Sequence, residues 1–258
     1  MSAAHTPASS IGQSVAESLR HPLARTLLVL TFSAGLIDAV SYLGIGHVFT
    51  ANMTGNIVFL GFGIAGGSGL PVVAPLVSLA AFLLGAGGGG ILASRMADRQ
   101  SEHLVRALSI ETLLIGAAAV LTAAADIHPN DLSGDLVIAL LALSMGARNA
   151  TVRRIAVPDL TTTVLTMTLT GLAADSPLFG GSGKGSARRI AAVLAMLIGA
   201  LAGALLRKTS LFLPLVRCCC ARLPQLGLVP VGFSAFSNQW SANGSSLNAG
   251  TSTQPADR

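Results

Sequence analysis

The sequence predicts an all-α polytopic transmembrane helix bundle of about six spans, within a range of five to seven. Two properties of the whole chain point to this fold: only 10% of the 258 residues are charged, and the mean hydropathy is +0.69. Soluble domains typically contain about 25% charged residues, so much of this surface must face something other than water. A third observation is local. No Asp, Glu, Lys or Arg occurs from position 39 to position 94, which is long enough for two passes of about 20 residues each.

Five apolar runs, each bounded by charged or turn-forming residues, are predicted to cross the membrane. In chain order these spans are 23–48, 72–94, 107–125, 136–152 and 190–206. Together with their connections they form a predicted bundle at 23–209, preceded by a polar, mobile N-terminus at 1–22.

The C-terminal part of the chain is expected to differ from the bundle. Residues 210–233 form a degenerate apolar segment, because Arg217 and Arg222 interrupt the run before it reaches spanning length. The tail at 234–258 is rich in Ser, Asn, Gly and Thr and is predicted to be disordered.

Basic residues predict the orientation, because Lys and Arg favour the cytoplasmic ends of spans. Arg20 and Arg25 place the N-terminus inside, and the loop at 126–135, which contains no Lys or Arg, is expected outside. This pattern favours a re-entrant or partly inserted segment at 50–69, which is rich in Gly and Thr. The alternative is six or seven full spans with one violation of the charge rule, and the sequence leaves both open.

An internal echo suggests two structural repeats. Gly-Leu-Ile-Asp-Ala at 35–39 resembles Gly-Ala-Arg-Asn-Ala at 146–150, and a polar Thr-containing segment ending in Thr-Gly follows each of them, at 54–55 and 170–171. Weak internal symmetry of this kind occurs in transporter folds, where two repeats meet around a site near the membrane midplane. Chance similarity between Gly-, Ala- and Thr-rich segments is the alternative. The halves would be inverted if 50–69 does not span, and parallel if it does.

Asp38 is the most informative single residue, because it lies within the first predicted span with about 12 apolar or small residues on each side. A charge at the bilayer centre costs about 2.5–3.5 kcal/mol on insertion scales, so the carboxyl must be protonated, paired or hydrated. Ser41 and Tyr42 recur at helical spacing from Asp38 and share its face. This stripe predicts a ligand for an ion, proton or substrate, or else a structural hub that hydrogen-bonds a neighbouring helix.

A second polar feature, Asn-Met-Thr-Gly-Asn at 52–56, lies between apolar runs. Non-helical backbone at membrane depth persists only where it is buried in protein or lines a water-filled cavity. Its side chains are therefore candidate ligands, although Thr50 or Asn52 could instead cap a helix that begins near Thr54. The candidate substrate- or ion-binding residues are Asp38, Ser41, Tyr42, Asn52, Thr54, Asn56, Asn149 and Thr170.

Other classes of function are disfavoured. The Arg residues flank apolar runs without interleaved aromatic residues, which argues against nucleic-acid binding. The five histidines lack ligand spacing, no nucleophile–base constellation is visible, and no cofactor or metal is expected. The glycines at 85–90 and the Gly-x-x-x-Gly at 199–203 predict close helix packing and a possible route to a homo-oligomer. The expected partners are the lipid bilayer and an unknown small solute or ion.

The motifs at 35–42, 48–56 and 146–150 resemble the YoaK-like family of uncharacterised multi-pass bacterial membrane proteins. The phrase Phe-x-Ala-Asn-Met-Thr-Gly-Asn is the most distinctive, and the likeness extends over about 23–208. The resemblance implies several transmembrane helices and a location in the bacterial inner membrane, and it supplies no substrate. It also implies an Asn after the second Thr-Gly, where this chain has Leu172.

Two hypotheses about function follow. The leading one is a small-solute or ion transporter or channel, with Asp38 as the protonatable or cation-binding group and with amide and hydroxyl side chains as further ligands. The alternative is a non-transporting membrane scaffold or accessory subunit. An enzyme ranks third, because no catalytic constellation is visible.

Overall fold

A computed structural model describes residues 22–67, 69–96, 99–128, 131–155, 165–177, 180–181, 183, 185–208, 210–221 and 224. The regular elements in these ranges are all helical. They are α1 Pro22–Ser41, a π-helical turn Tyr42–Gly46, α2 Met53–Ile64, α3 Val73–Arg95, α4 Gln100–Ala124, α5 Leu132–Ile155, α6 Leu165–Ala174, α7 Ser186–Arg207 and α8 Phe212–Ala221.

In the described part of the chain, five helices are long and apolar enough to cross a membrane. These are α1 with its π-helical turn, α3, α4, α5 and α7. Large apolar side chains such as Leu84, Leu113 and Leu197 are more than 45% exposed on the outside of the bundle, as expected where a helix faces lipid. The predicted polytopic helical bundle is confirmed.

Three of these helices begin earlier than the predicted spans. Spans beginning at 107, 136 and 190 correspond to helices that begin at Gln100, Leu132 and Ser186. The charged residues near the start of each helix precede the apolar run but still belong to the helix, because a helix terminus in the interfacial region can carry charge.

The directions of the helices follow from which residues lie side by side. Gly46, at the end of the π-helical turn, lies beside Ala74 in the first turn of α3 and beside Ile138 of α5. Farther back along α1, the backbone carbonyl of Leu30 accepts a hydrogen bond from Arg148 of α5. Helix α1 is therefore antiparallel to α5, and α3 begins at the end of the bundle where α1 finishes.

The segment between α1 and α3 consequently leaves and returns at the same end of the bundle. Its helix, α2, has 12 residues and is about 18 Å long, whereas the hydrocarbon core is about 30 Å thick. Helix α2 forms a hairpin with α3, in which Asn56 hydrogen-bonds Ser78 and Gly63 lies beside Val72. Of the two alternatives that the sequence left open, the structure has the re-entrant one.

The long helices form two parallel pairs, α1 with α7 and α3 with α5. The contacts that fix these directions are Gly199 on Phe32 and Gly203 on Leu36 in the first pair, and Gly85 on Leu143 and Gly89 on Ala147 in the second. Because α1 and α5 are antiparallel, the pair of α5 and α3 crosses the bundle in the direction opposite to the pair of α1 and α7. The helices α1–α3 and α5–α7 are thus two halves of an inverted repeat.

The repeat extends to individual contacts. Phe32, Gly35 and Leu36 correspond to Leu143, Gly146 and Ala147, 111 residues later, whereas Phe82, Gly85, Ala86 and Gly89 correspond to Met196, Gly199, Ala200 and Gly203, 114 residues later. A Cβ added at any of these six glycines would overlap a backbone carbonyl of the facing helix. The carbonyls that these Cβ atoms would overlap occupy equivalent positions in the two halves. The internal echo in the sequence therefore reflects a structural repeat.

The C-terminal apolar segment is partly helical. Helix α8 has 10 residues, about 15 Å of helix, and its Leu215 and Cys218 are buried in the hydrophobic core with Ile37 and Ile115. Helix α8 follows α7 in the second half as α4 follows α3 in the first. It is therefore a shortened counterpart of α4. The predictions for residues 1–21 and 225–258 lie outside the described residues.

Candidate functional site

The candidate site is built around Asp38, near the end of α1. Its side chain is 5% exposed, and Oδ1 accepts hydrogen bonds from the backbone N–H groups of Thr50 and Ala51, both at 2.8 Å. The Thr50 hydroxyl donates to the same oxygen at 3.3 Å. The carboxyl therefore supplies acceptors for backbone donors in the non-helical segment 47–52, which would otherwise be unsatisfied.

This contact also places Asp38 just before the N-terminus of α2. A helix N-terminus carries a partial positive charge, which stabilises a nearby carboxylate. Asn52 occupies the N-cap position of α2 but makes no capping hydrogen bond with its side chain. Of the predicted alternative, a side-chain cap by Thr50 or Asn52, the structure has Asn52 at the N-cap position without its capping bond, and the Thr50 hydroxyl bonds Asp38.

The second carboxylate oxygen, Oδ2, is buried and has no hydrogen-bond partner among the described residues. The backbone N–H of Asn52 also lies close to the carboxyl. One oxygen of Asp38 is thus committed to the fold, whereas the other makes no hydrogen bond of comparable geometry to the described residues.

Asn56 holds the non-helical segment from the other side. Its Oδ1 accepts from the Phe49 N–H at 2.9 Å, and its Nδ2 donates to the Phe49 carbonyl at 2.6 Å. Nδ2 also donates to the Ser78 hydroxyl at 3.1 Å, and that hydroxyl donates to the same carbonyl at 2.8 Å. We call Asn56, Phe49 and Ser78 the amide clip. The side-chain amide of Asn56 is fully buried and bonds both the N–H and the carbonyl of Phe49, as the backbone of a neighbouring strand would. This pairing favours a structural role for Asn56.

The second half of the repeat lacks this clip. Leu172 and Ala192 stand where Asn56 and Ser78 stand in the first half, at offsets of 116 and 114 residues. There Arg189 donates instead to the Gly171 carbonyl at 2.8 Å and pairs with Asp175 at 2.7 Å. The polar contacts of α2 with α3 and of α6 with α7 therefore differ.

Aromatic rings gather beside Asp38. Tyr42 stacks on Phe49 with ring centroids 4.9 Å apart, and Phe59 lies 5.7 Å from Tyr42 and 5.8 Å from Phe49. His47 meets Tyr42 edge-on at 5.5 Å, in a left-handed backbone conformation with φ of 51°. This cluster fixes the exit from α1 and gives the region of Asp38 one aromatic wall.

A cavity of about 440 Å³ lies between α1 and α7. Its polar lining residues are Asp38, Tyr42 and Asn52, and the remaining lining residues are apolar or small: Gly35, Ala39, Leu43, Phe49, Met196, Leu197, Ala200, Leu201 and Ala204. In the part of the chain that the structure describes, Asp38 is the one charged residue that lines it. The structure thus brings three of the predicted site residues to one cavity.

The remaining candidates do not line it. Ser41 is buried and donates to the Asp38 backbone carbonyl at 3.2 Å, whereas Thr54 is exposed. Thr170 is exposed and donates within its own helix to Thr166 at 2.9 Å. Asn149, the counterpart of Asp38 in the second half, is half-buried, and Thr166 and Met167, which correspond to Thr50 and Ala51 at the offset of 116 residues, lie within helix α6.

Sequence reasoning missed a buried ion pair. Arg148 of α5 pairs with Glu111 of α4, donates to the Leu30 carbonyl at 2.9 Å and lies 3.4 Å from the Ser33 hydroxyl. Both charged side chains are at most 3% exposed. The available signal was that Glu111 interrupts an apolar run and Arg148 precedes the basic flank by a full helical turn. The pair joins three helices at the core.

Two comparisons place the chain among known proteins, and no solved structure matches it. The protein is similar to the UPF0700 transmembrane protein YoaK of Bacillus subtilis (strain 168), with 33% identity over 157 residues. This alignment covers 58% of the chain and 65% of the relative. Residues 26–226 match the family described as protein of unknown function (DUF1275). The chain is therefore a member of this YoaK-like, DUF1275 family of transmembrane proteins, whose function is unknown.

Proposed function

We propose that this protein is a small-solute or ion transporter or channel of the bacterial inner membrane, with Asp38 as the group that binds a proton or cation. The observation that carries the proposal is the inverted repeat, in which each half contains one short helix between long ones. Secondary transporters are commonly built from such repeats, with substrate and ion sites where discontinuous helices end within the membrane. Helix α2 begins beside Asp38 in this way.

The environment of Asp38 supports the same role. An acidic residue inside a membrane span is costly to insert and by default marks a site for a proton, ion or substrate. Here one carboxylate oxygen is held by backbone donors, which fixes its position, and Asp38 lines a cavity together with Tyr42 and Asn52. A pre-positioned ligand of this kind binds with little reorganisation.

The location rests on composition and similarity. The relative from Bacillus subtilis is named a transmembrane protein, and the described spans are helices rather than barrel strands. Helical spans are the form that crosses the cytoplasmic membrane of bacteria, whereas outer-membrane spans are typically barrels. Fractionation of expressing cells should recover the protein with inner-membrane markers.

The test is a flux assay on protein reconstituted in liposomes, with proton movement and uptake of candidate solutes followed separately. We expect Asp38→Asn to lower flux at least about tenfold, since it removes the charge and keeps one acceptor for the backbone donors. Asp131→Asn is the matched control, because Asp131 is exposed in the α4–α5 loop and should leave flux unchanged. Equal flux in wild type and Asp38→Asn would remove Asp38 from the mechanism.

A second candidate, a non-transporting scaffold or accessory subunit, is favoured by one specific observation. Asp38 already has a structural task, because it accepts two backbone hydrogen bonds from segment 47–52. A scaffold would need the carboxyl only for that task. Its signature is a partner protein recovered by crosslinking in native membranes, together with no flux of protons or any solute by the wild-type protein.

A further inference from the structure

We propose that the cavity between α1 and α7 binds an organic cation with an apolar portion, such as a substituted ammonium ion. This inference rests on the proposed function and names its substrate class. Among the described residues, Asp38 is the single charged residue that lines the cavity, and no lysine, arginine or histidine lines it. Charge complementarity therefore selects a cation.

The incomplete pairing of the Asp38 carboxyl also favours a cation. Oδ2 is buried in protein without a hydrogen-bond partner among the described residues, although a buried charged oxygen is expected to have one. Oδ1 is already held by Thr50 and Ala51. A cation bound in the cavity against Asp38 would compensate the charge of the carboxyl while Oδ1 keeps the contacts that shape the segment.

The rest of the lining argues for an organic cation over a bare inorganic one. Small inorganic cations prefer several oxygen ligands, whereas the described lining of this cavity has three polar residues, Asp38, Tyr42 and Asn52, among mainly apolar groups. A volume of about 440 Å³ lies in the range of small-molecule pockets. The rings of Tyr42 and Phe49 add an aromatic wall, and cations bind aromatic faces with about 0.5–2 kcal/mol.

The open side of the cavity indicates where the apolar portion lies. Leu197 and Leu201 of α7 line the cavity and are 62% and 57% exposed on the face that we assign to lipid. Ala200 and Ala204 also line the cavity, and their small side chains leave room along the helix. A cation with an apolar tail can place its charged end at Asp38 and its tail along this side.

The experiment measures equilibrium binding of radiolabelled benzyltrimethylammonium to the full chain in lipid nanodiscs. Neopentylbenzene, in which carbon replaces the nitrogen, is the neutral competitor of the same shape, and sodium and potassium are the inorganic competitors. We expect saturable binding that the neutral competitor and the inorganic ions do not displace at matched concentrations. Absence of saturable binding, displacement by the neutral compound, or full displacement by millimolar potassium would overturn the inference.

Variants locate the binding. We expect Asp38→Asn and Tyr42→Leu to weaken binding, by about tenfold or more for Asp38→Asn, whereas Tyr42→Phe retains it. Ala204→Phe fills the cavity without touching the bonds of Asp38 and should abolish binding even if Asp38→Asn fails to fold. The control Asp131→Asn should bind as wild type. Unchanged binding by folded Ala204→Phe would show that the cation binds elsewhere.

Binding and flux also separate this inference from the proposed function. Organic-cation binding that depends on Asp38, without any flux, would contradict transport and support the site. Proton or inorganic-ion flux that depends on Asp38, without organic-cation binding, would support transport and overturn the substrate class.

Discussion

Asn56 and Asn52 show how one short polar motif divides its tasks. Asn56 is fully buried and engages the Phe49 backbone and Ser78, whereas Asn52 is exposed beside the cavity and makes no side-chain capping bond. Both residues are asparagines, and only their surroundings distinguish the structural role of Asn56 from the candidate ligand role of Asn52. That distinction depends on α3 packing against the motif, which the local sequence does not contain.

The amide clip gives a prediction about stability. Asn56→Leu should lower the free energy of unfolding by about 1–3 kcal/mol, because the buried N–H of Phe49 loses its acceptor. Asn52→Leu is the matched control and should change it by less than about 0.5 kcal/mol, as is usual for exposed positions. Circular dichroism during unfolding in mixed detergent–SDS micelles measures both. Equal destabilisation by the two variants would contradict the structural role assigned to the clip.

At the residue scale, Asp38 was predictable because a lone acid in a long charge-free stretch has few explanations. Glu111 and Arg148 were not, since each lies within a few turns of other charged residues and looks like part of a membrane flank. Their pairing depends on α4 and α5 lying against Leu30 of α1. A buried pair of this kind is costly to break, because removing one partner leaves the other charge buried without compensation.

At the element scale, the glycine-rich stretch of α3 separates into two sets. Gly85 and Gly89 lie against backbone carbonyls of α5, whereas a Cβ at Gly87, Gly88 or Gly90 would meet nothing within 4 Å. The first set therefore serves the close helix packing that the sequence predicted. Association of two copies through the open set stays a prediction.

The repeat makes these packing glycines testable in pairs. Gly85→Leu and the corresponding Gly199→Leu should both destabilise the bundle strongly, since each would drive a side chain into the facing backbone. Gly87→Ala should raise stability by about 0.5–1 kcal/mol, because alanine favours the helix and the added Cβ meets open space.

Thermal unfolding in nanodiscs, followed by circular dichroism, measures the three variants side by side. A Gly85→Leu variant as stable as wild type would mean that α3 and α5 do not approach as closely as described. Destabilisation by Gly87→Ala would mean that the open face is covered in the membrane, as a second copy of the chain would cover it.

Element positions were more predictable than element ends. Apolar runs place all five long helices, because the bilayer imposes both length and composition. The breaks were harder to place: α1 gives way to a π-helical turn within an apolar run, and the turn ends at His47 in a left-handed conformation. The aromatic contacts of Tyr42 and Phe49 hold that break, and they form only in the folded bundle.

At the scale of the whole molecule, the inverted repeat follows from one local fact, that segment 47–72 does not cross the bundle. A third crossing there would have made the halves parallel. The sequence contained the echo and the charge bias, but each was statistical, and the contact of Gly46 with Ala74 decides between the alternatives. The asymmetry between Asp38 and Asn149, and between the amide clip and its missing counterpart, then gives the two halves different chemistry around a common architecture.

The arrangement of the chain in a membrane is the last prediction, and single cysteines in a variant lacking Cys218, Cys219 and Cys220 test it. Because segment 47–72 returns to the end it left, Ala65→Cys and Asp131→Cys should react with a membrane-impermeant maleimide in intact cells. Ser10→Cys and Arg99→Cys should react only after permeabilisation, since basic flanks favour the cytoplasm. The decisive comparison is Ser10 with Ala65. Reaction of both from the same side would mean that α2 crosses fully, and the inverted repeat on which the transport proposal depends would then be lost.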